Sequence, residues 1–129
     1  MPKTAIELTP EELAQYRPEE IVRERRERTA AERRARWQQA RAVAEEAAAI
    51  LRERFGARRV LIFGSGADPE AFTLWSDIDL AVEGVAPERF YAAVAAVMDL
   101  SPDFRVDLID VQSARPSLRA AIEQEGVEL

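Results

Sequence analysis

The sequence contains no cysteine, no histidine and no asparagine, and Lys3 is the only lysine among its 18 basic residues. Without Cys there is no disulfide and no thiolate nucleophile, and without His there is no imidazole base or imidazole metal ligand. Ser-His-Asp and Cys-His catalysis are therefore excluded, as is a typical zinc site. Long apolar runs are missing too. None approaches the ~20 residues needed to cross a bilayer, and the opening MPKTAIELTPEEL has no apolar core flanked by basic residues to serve as a secretory signal. The expectation is a cytoplasmic protein without a membrane partner. Any chemistry must run on carboxylates, hydroxyls, backbone amides and arginine.

What is present is a globular balance: 129 residues, 47% hydrophobic and 33% charged, enough for one compact domain and little more. The net charge of −6 is unevenly spread. Residues 1–59 hold 14 basic and 11 acidic groups, whereas residues 60–129 hold 4 and 13. Two regions with different tasks are the natural reading.

Thr9-Pro10-Glu11-Glu12 has the signature of a helix start, with a short helix expected to about Tyr16. Pro18-Glu19-Glu20 restarts the pattern, and no Gly or Pro interrupts it until Gly56, a run of ~57 Å at 1.5 Å per residue. Its first half is Arg/Glu-rich, with i,i+4 pairs Glu19–Arg23, Glu24–Arg28 and Glu32–Arg36. From Trp37 an apolar stripe appears at Trp37, Ala40, Ala44, Ala47, Leu51 and Phe55, so this half should lie on a core, with Gly56 as its cap. The expected division is an amino-terminal helical arm over 1–36 and a globular domain over 37–129.

Beyond Gly56 the period changes. Arg59 to Phe63 reads as a buried strand, Ser76 to Val82 as a second and Phe104 to Val111 as a third. Pro87 to Leu100 is an amphipathic helix with Phe90, Ala93, Val94, Val97 and Leu100 on one face, and Ser117 to Gln124 is a last helix before Gly126. The fold class is α/β (α+β), a small mixed sheet covered by helices.

Alternation on the second strand would put Asp77 and Asp79 on one side, roughly 7 Å apart, with Ile78, Leu80 and Val82 facing the core. The third strand would turn Asp107 outward in the same way. If the two strands are neighbours, three carboxylates meet, and three anions together need a counter-charge or a retained proton. Arg105 could share the face of Asp107, and a hard cation such as Mg²⁺ would answer the repulsion while leaving room for phosphates. A lone Asp-x-Asp, however, often does no more than end a strand at solvent. Gly64-Ser65-Gly66, following the first strand at once, could expose amides and a hydroxyl to phosphate, or could be an ordinary tight turn. In combination the features favour a phosphate-plus-metal site.

The run Phe63-Gly64-Ser65, then Ser76-Asp77-Ile78-Asp79-Leu80-Ala81-Val82, then Val106-Asp107-Leu108-Ile109 resembles the minimal nucleotidyltransferases (MNT) of the polymerase-beta-like superfamily. The resemblance covers about Trp37 to Leu129 and includes the ending from Ala121 to Leu129. It implies the polymerase-beta-like nucleotidyltransferase fold and a two-metal transfer of NMP from an NTP, ATP above all, to a hydroxyl. Gly64 and Ser65 would hold the β- and γ-phosphates. Asp77 and Asp79 would bind Mg²⁺, and Asp107 would complete the second metal site and help activate the hydroxyl. Such a transfer needs positioning and charge neutralisation more than a covalent nucleophile. The same resemblance implies an antitoxin paired with a HEPN-type ribonuclease toxin, some of its members attaching AMP to a toxin tyrosine.

One stretch departs from the family. Where members carry an Arg-containing loop, this chain reads Gly66-Ala67-Asp68-Pro69-Glu70, two acids beside the expected triphosphate. That supports a second reading, a non-catalytic antitoxin that neutralises its partner by contact. In the arm, residues 21–41 hold 8 Arg and 3 Glu. Nucleic-acid contact is open there but not favoured, because Trp37 is the only aromatic available for stacking. A solvated, ion-paired helix is the plainer reading. The apolar Ile6, Leu8, Leu13, Tyr16, Ile21 and Val22 suggest a partner or a homo-oligomer, and Trp37 and Trp75 are expected as core or interface anchors.

Overall fold

A computed structural model describes residues 9–11 and 17–129. The short helix expected up to Tyr16 thus falls largely outside the described residues, as do Ile6, Leu8, Leu13 and Tyr16. The chain divides into two compact units, Met1–Ala31 and Glu32–Leu129. Helix α1, Pro18–Phe55, contributes to both, with Glu19 and Glu20 in its first turn and Arg52 and Arg54 in its last, each sign at the end where the helix dipole favours it. Gly56 ends it at φ +70°, and Ala57 N–H returns to Leu51 O at 3.1 Å.

The ion pairs expected along the first half of α1 do not form. Among the described residues, the i,i+4 pair that closes on this helix is Arg41–Glu45, at 3.7 Å. Residues 21–29 are exposed, and in water a pair of long charged side chains gains too little to hold one geometry.

Strand β1 covers Arg59–Phe63, β2 Ile78–Glu83 and β3 Val106–Asp110. Helix α2, Phe90–Met98, follows a 3₁₀ turn at Pro87–Arg89, and helix α3 spans Pro116–Glu125. A fourth strand, β4, is only Val127–Glu128, too short for any periodicity to announce. The order is β3-β2-β1-β4, with β1 antiparallel to β2 and β4, and β2 parallel to β3. This is the mixed sheet covered by helices that the pattern implies.

One face of the sheet carries Val60, Ile62, Ile78, Leu80, Val82, Val106 and Leu108. These pack with Ala40, Ala44, Ala47, Leu51 and Phe55 of α1 and with Ala93 and Val97 of α2. Val94, Phe90 and Leu100 lie partly buried against the same core, as the amphipathic reading requires. The other face buries Leu61 and Ala81 with Val111 and Ile122 of α3. Gly126 allows β4 to follow α3, since a Cβ there would stand 2.4 Å from Ile122 O. At this end of the sheet Arg59 donates to both oxygens of Glu123 at 2.7 and 3.1 Å and reaches Glu83 at 3.5 Å and Glu128 at 3.9 Å. The pairing holds the exposed Glu123 carboxyl below its usual range. The opposite ends of β1 and β2 are left to the acids.

Candidate active site

Gly64 stands at φ +65°, and a Cβ on it would come within 3.1 Å of Asp79 Oδ2. Glycine is needed here twice, for the left-handed backbone and for the close approach of the carboxylate. Register produces the contact, because Phe63 at the end of β1 pairs with Asp79 on β2. Residues Gly64–Ala67 form a single 3₁₀ turn closed by Asp68 N–H to Ser65 O at 3.2 Å, so the glycine segment is a corner leading into a loop. The half-buried Ser65 hydroxyl has no hydrogen-bond partner among the described residues.

On the other flank of β2, Asp79 pairs in parallel register with Asp107 on β3. Their backbones are thus adjacent strands, about 4.8 Å apart. Both side chains take the face opposite Ile78, Leu80, Val106 and Leu108. The alternation expected for Asp77 does not apply, because β2 begins only at Ile78, whose N–H bonds Arg105 O at 2.9 Å. Asp77 lies one residue before the strand and is exposed. It is nonetheless near enough to act on Asp79.

The half-buried Asp79 carboxyl is pushed above the usual carboxylate range, first by burial, then by the negative charge of Asp107, then by that of Asp77. Every group acting on it disfavours its charge. Among the described residues, the cation bonded to these acids is Arg105, whose Nε–H donates to Asp107 Oδ1 at 3.1 Å, the arrangement that their shared face suggested. Among the described residues no three acids form a ready-made metal cluster. The donors still suit a hard divalent cation: carboxylate oxygens in excess of local positive charge, and Mg²⁺ is usually held by one or two carboxylates with phosphates and water completing the shell.

The loop from Asp68 to Ser76 is tied down by contacts that its sequence does not announce. Asp68 Oδ1 accepts Glu70 N–H at 3.0 Å, so one of the two departing acids forms a turn. Phe72 is fully buried and tilted against Phe104, ring centroids 6.4 Å apart. Ser76 Oγ accepts Thr73 N–H at 2.9 Å, and Thr73 Oγ1 accepts Trp75 N–H at 3.2 Å. Trp75 itself is 89% exposed, so it is no core residue, whereas Trp37 packs partly buried against the core. Trp37 Nε1–H also donates to Gly66 O at 2.9 Å. Arg33 donates to Glu70 O and Arg36 to Ser76 O and Asp103 O, each at 3.4 Å. The three α1 residues that hold these loops, Arg33, Arg36 and Trp37, had no site role by sequence, since a helical stripe says nothing of which loop carbonyls it will meet. A cavity of about 430 Å³ lined by Phe90, Tyr91, Leu108 and Asp110 lies along the last residues of β3, and none of the five expected site residues lines it.

The family profile described as polymerase beta, nucleotidyltransferase, matches residues 45–129. No curated protein matches the chain. Among solved structures, a candidate minimal nucleotidyltransferase is similar at 28% identity and TM-score 0.58, over 72% of this chain and 95% of its own. A variant of the MntA–HpeT toxin–antitoxin pair is similar at 25% identity and TM-score 0.54, over 66% of this chain and 69% of its own. A tri-AMPylated Shewanella oneidensis HEPN toxin in complex with MNT antitoxin shares the fold at 22% identity and TM-score 0.52, over 69% and 70%.

Proposed function

The chain belongs to the polymerase beta nucleotidyltransferase family, and from that premise we propose that it moves AMP from ATP to a hydroxyl of a partner toxin with Mg²⁺, as the cytoplasmic antitoxin of a HEPN/MNT pair. The observation that carries the transfer is the register match of Asp79 with Asp107 beside Gly64, which gathers carboxylate charge that Arg105, bonded to Asp107, offsets only in part. The toxin partner and the AMP group are supported by the solved neighbours, one an MntA–HpeT pair and one an AMPylated toxin bound to its antitoxin.

Asp77, Asp79 and Asp107 would hold Mg²⁺, whose charge when bound offsets that of the triphosphate and of the departing pyrophosphate. Amides of the Gly64 corner and the Ser65 hydroxyl would bind the terminal phosphates. Asp107, oriented by Arg105, would accept the proton of the attacking hydroxyl. A bond forms from that oxygen to the α-phosphorus as the bond to pyrophosphate breaks. No imidazole or thiolate is required, which suits a chain that has neither. Residues 37–129 would carry all five of these site residues, with residues 1–36 as an appended arm whose Arg33 and Arg36 reach the loops around them.

A second reading is favoured by the loop. Asp68 and Glu70 are exposed on the segment that follows the glycine corner, and negative charge there opposes a triphosphate. Neutralisation by contact alone would then be the function. The two separate in one experiment: purified protein, the partner, Mg²⁺ and labelled ATP, with intact-mass detection of one added AMP. Asp77→Asn and Asp79→Asn should each lower transfer by at least ~100-fold, as removal of a metal carboxylate does when it supplies several kcal/mol. Unchanged transfer in both variants rejects the assigned site. Absent transfer together with full neutralisation by both variants supports the contact reading.

A further inference from the structure

Arg36 lies outside the set of residues that the sequence motifs single out, yet it touches the backbone leading into both acid-bearing strands. Its Nη2 donates to Ser76 O and to Asp103 O, 3.4 Å to each, and its guanidinium carbon sits 4.3 Å from the centroid of the Phe104 ring. Ser76 directly precedes Asp77, and Asp103 begins the short approach to Asp107. Because β2 and β3 are parallel, these approaches run side by side, and Ile78 N–H to Arg105 O joins them at the threshold of the sheet. One guanidinium nitrogen therefore bridges the two approaches just ahead of that bond. Each of its contacts is long. A planar group seated on an aromatic ring, however, serves both carbonyls from a single orientation.

Stability alone does not account for this arrangement. Arg36 Nε is buried with no partner among the described residues, and an unmade hydrogen bond is unfavourable. An aliphatic side chain of similar length would cover Phe104 without that penalty. What remains is spacing. Trp37 on Gly66 O and Arg33 on Glu70 O extend the same strap to the loop behind the glycine corner.

We propose that Arg36 is a positioning residue that sets the separation of Asp77 and Asp107 and thereby the grip of the acid corner on a divalent cation. The inference rests on the reading of those acids as a cation-holding site. Lysine keeps the charge but has neither the plane nor the fork, so Arg36→Lys is the informative variant, with Arg36→Gln beside it. Mn²⁺ binding in the presence of ATP is read by electron paramagnetic resonance, and backbone exchange by hydrogen–deuterium mass spectrometry. In both variants the half-saturating Mn²⁺ concentration should rise ~10-fold or more, the usual effect of losing an outer partner of a metal ligand. Exchange should quicken over residues 76–79 and 104–107, while the α3 segment stays as protected as in the wild type. Mn²⁺ affinity and exchange unchanged in Arg36→Lys overturn the proposal. A merely structural role would show as a lower Tm in the variants with Mn²⁺ affinity unaltered, which overturns it as well. No Mn²⁺ binding by the wild-type protein overturns the site reading itself, and this inference falls with it.

Discussion

Ionised Asp79 works against the unliganded fold, because burial and two neighbouring acids raise its pKa above the unfolded value of 3.8. The folded state therefore holds the Asp79 proton more tightly than the unfolded chain does. The unfavourable contribution is complete above the folded pKa and fades as pH falls through it towards 3.8. Asp79→Asn removes the charge while keeping the shape. At neutral pH the variant should be more stable by about 0.5–1 kcal/mol once solvent screening of this half-exposed group is allowed for, roughly 2–5 °C in Tm for a domain of this size. The gain should shrink in acid, and saturating Mg²⁺ should raise the Tm of the wild type but not of the variant. A variant that melts at or below the wild type at neutral pH would show that the charge is compensated after all. The identities of these acids could be read directly from period-two alternation and from the glycine after β1. The position of Asp77 could not, because the first residue of β2 is decided by a bond from Ile78 to Arg105, nearly thirty residues away in sequence.

At the scale of elements, the loop between the glycine corner and β2 owes its shape to Phe72, which is fully buried against Phe104. Phe72→Ala should cost about 3–5 kcal/mol by urea denaturation, as for other large-to-small changes at a closed site. A cost under ~1 kcal/mol would mean that the loop repacks freely. The composition around Phe72 resembles a polar connection, so its burial was not readable; a single aromatic between Ala71 and Thr73 has no period. Helix α1 was readable in extent because nothing interrupts it between Pro18 and Phe55, and β1 because the four residues after Arg59 are continuously apolar. Strand β4 was hidden, since two residues carry no pattern, and only Gly126, where a Cβ would meet Ile122 O, hints at a tight return. The surface ion pairs of α1 were over-read for the opposite reason: spacing permits them, but water competes.

For the whole chain, charge and core are divided differently. The buried apolar residues of the described chain run from Ala40 to Ile122, all within the unit Glu32–Leu129. The Arg-rich stretch begins in the other unit, where Ile21 and Val22 are exposed at 36% and 47%. A chain of residues 32–129 should therefore unfold cooperatively, with a Tm within about 2 °C of the full-length protein, since it keeps every buried apolar residue of the described chain. It retains Arg33, Arg36 and Trp37 and with them the contacts to Gly66, Glu70, Ser76 and Asp103. AMP transfer should accordingly stay within ~10-fold of the full chain, a barrier change of no more than about 1.4 kcal/mol. Loss of cooperative unfolding would make the arm part of the core. A sharp loss of transfer with the fold intact would instead assign residues 1–31 to gripping the acceptor.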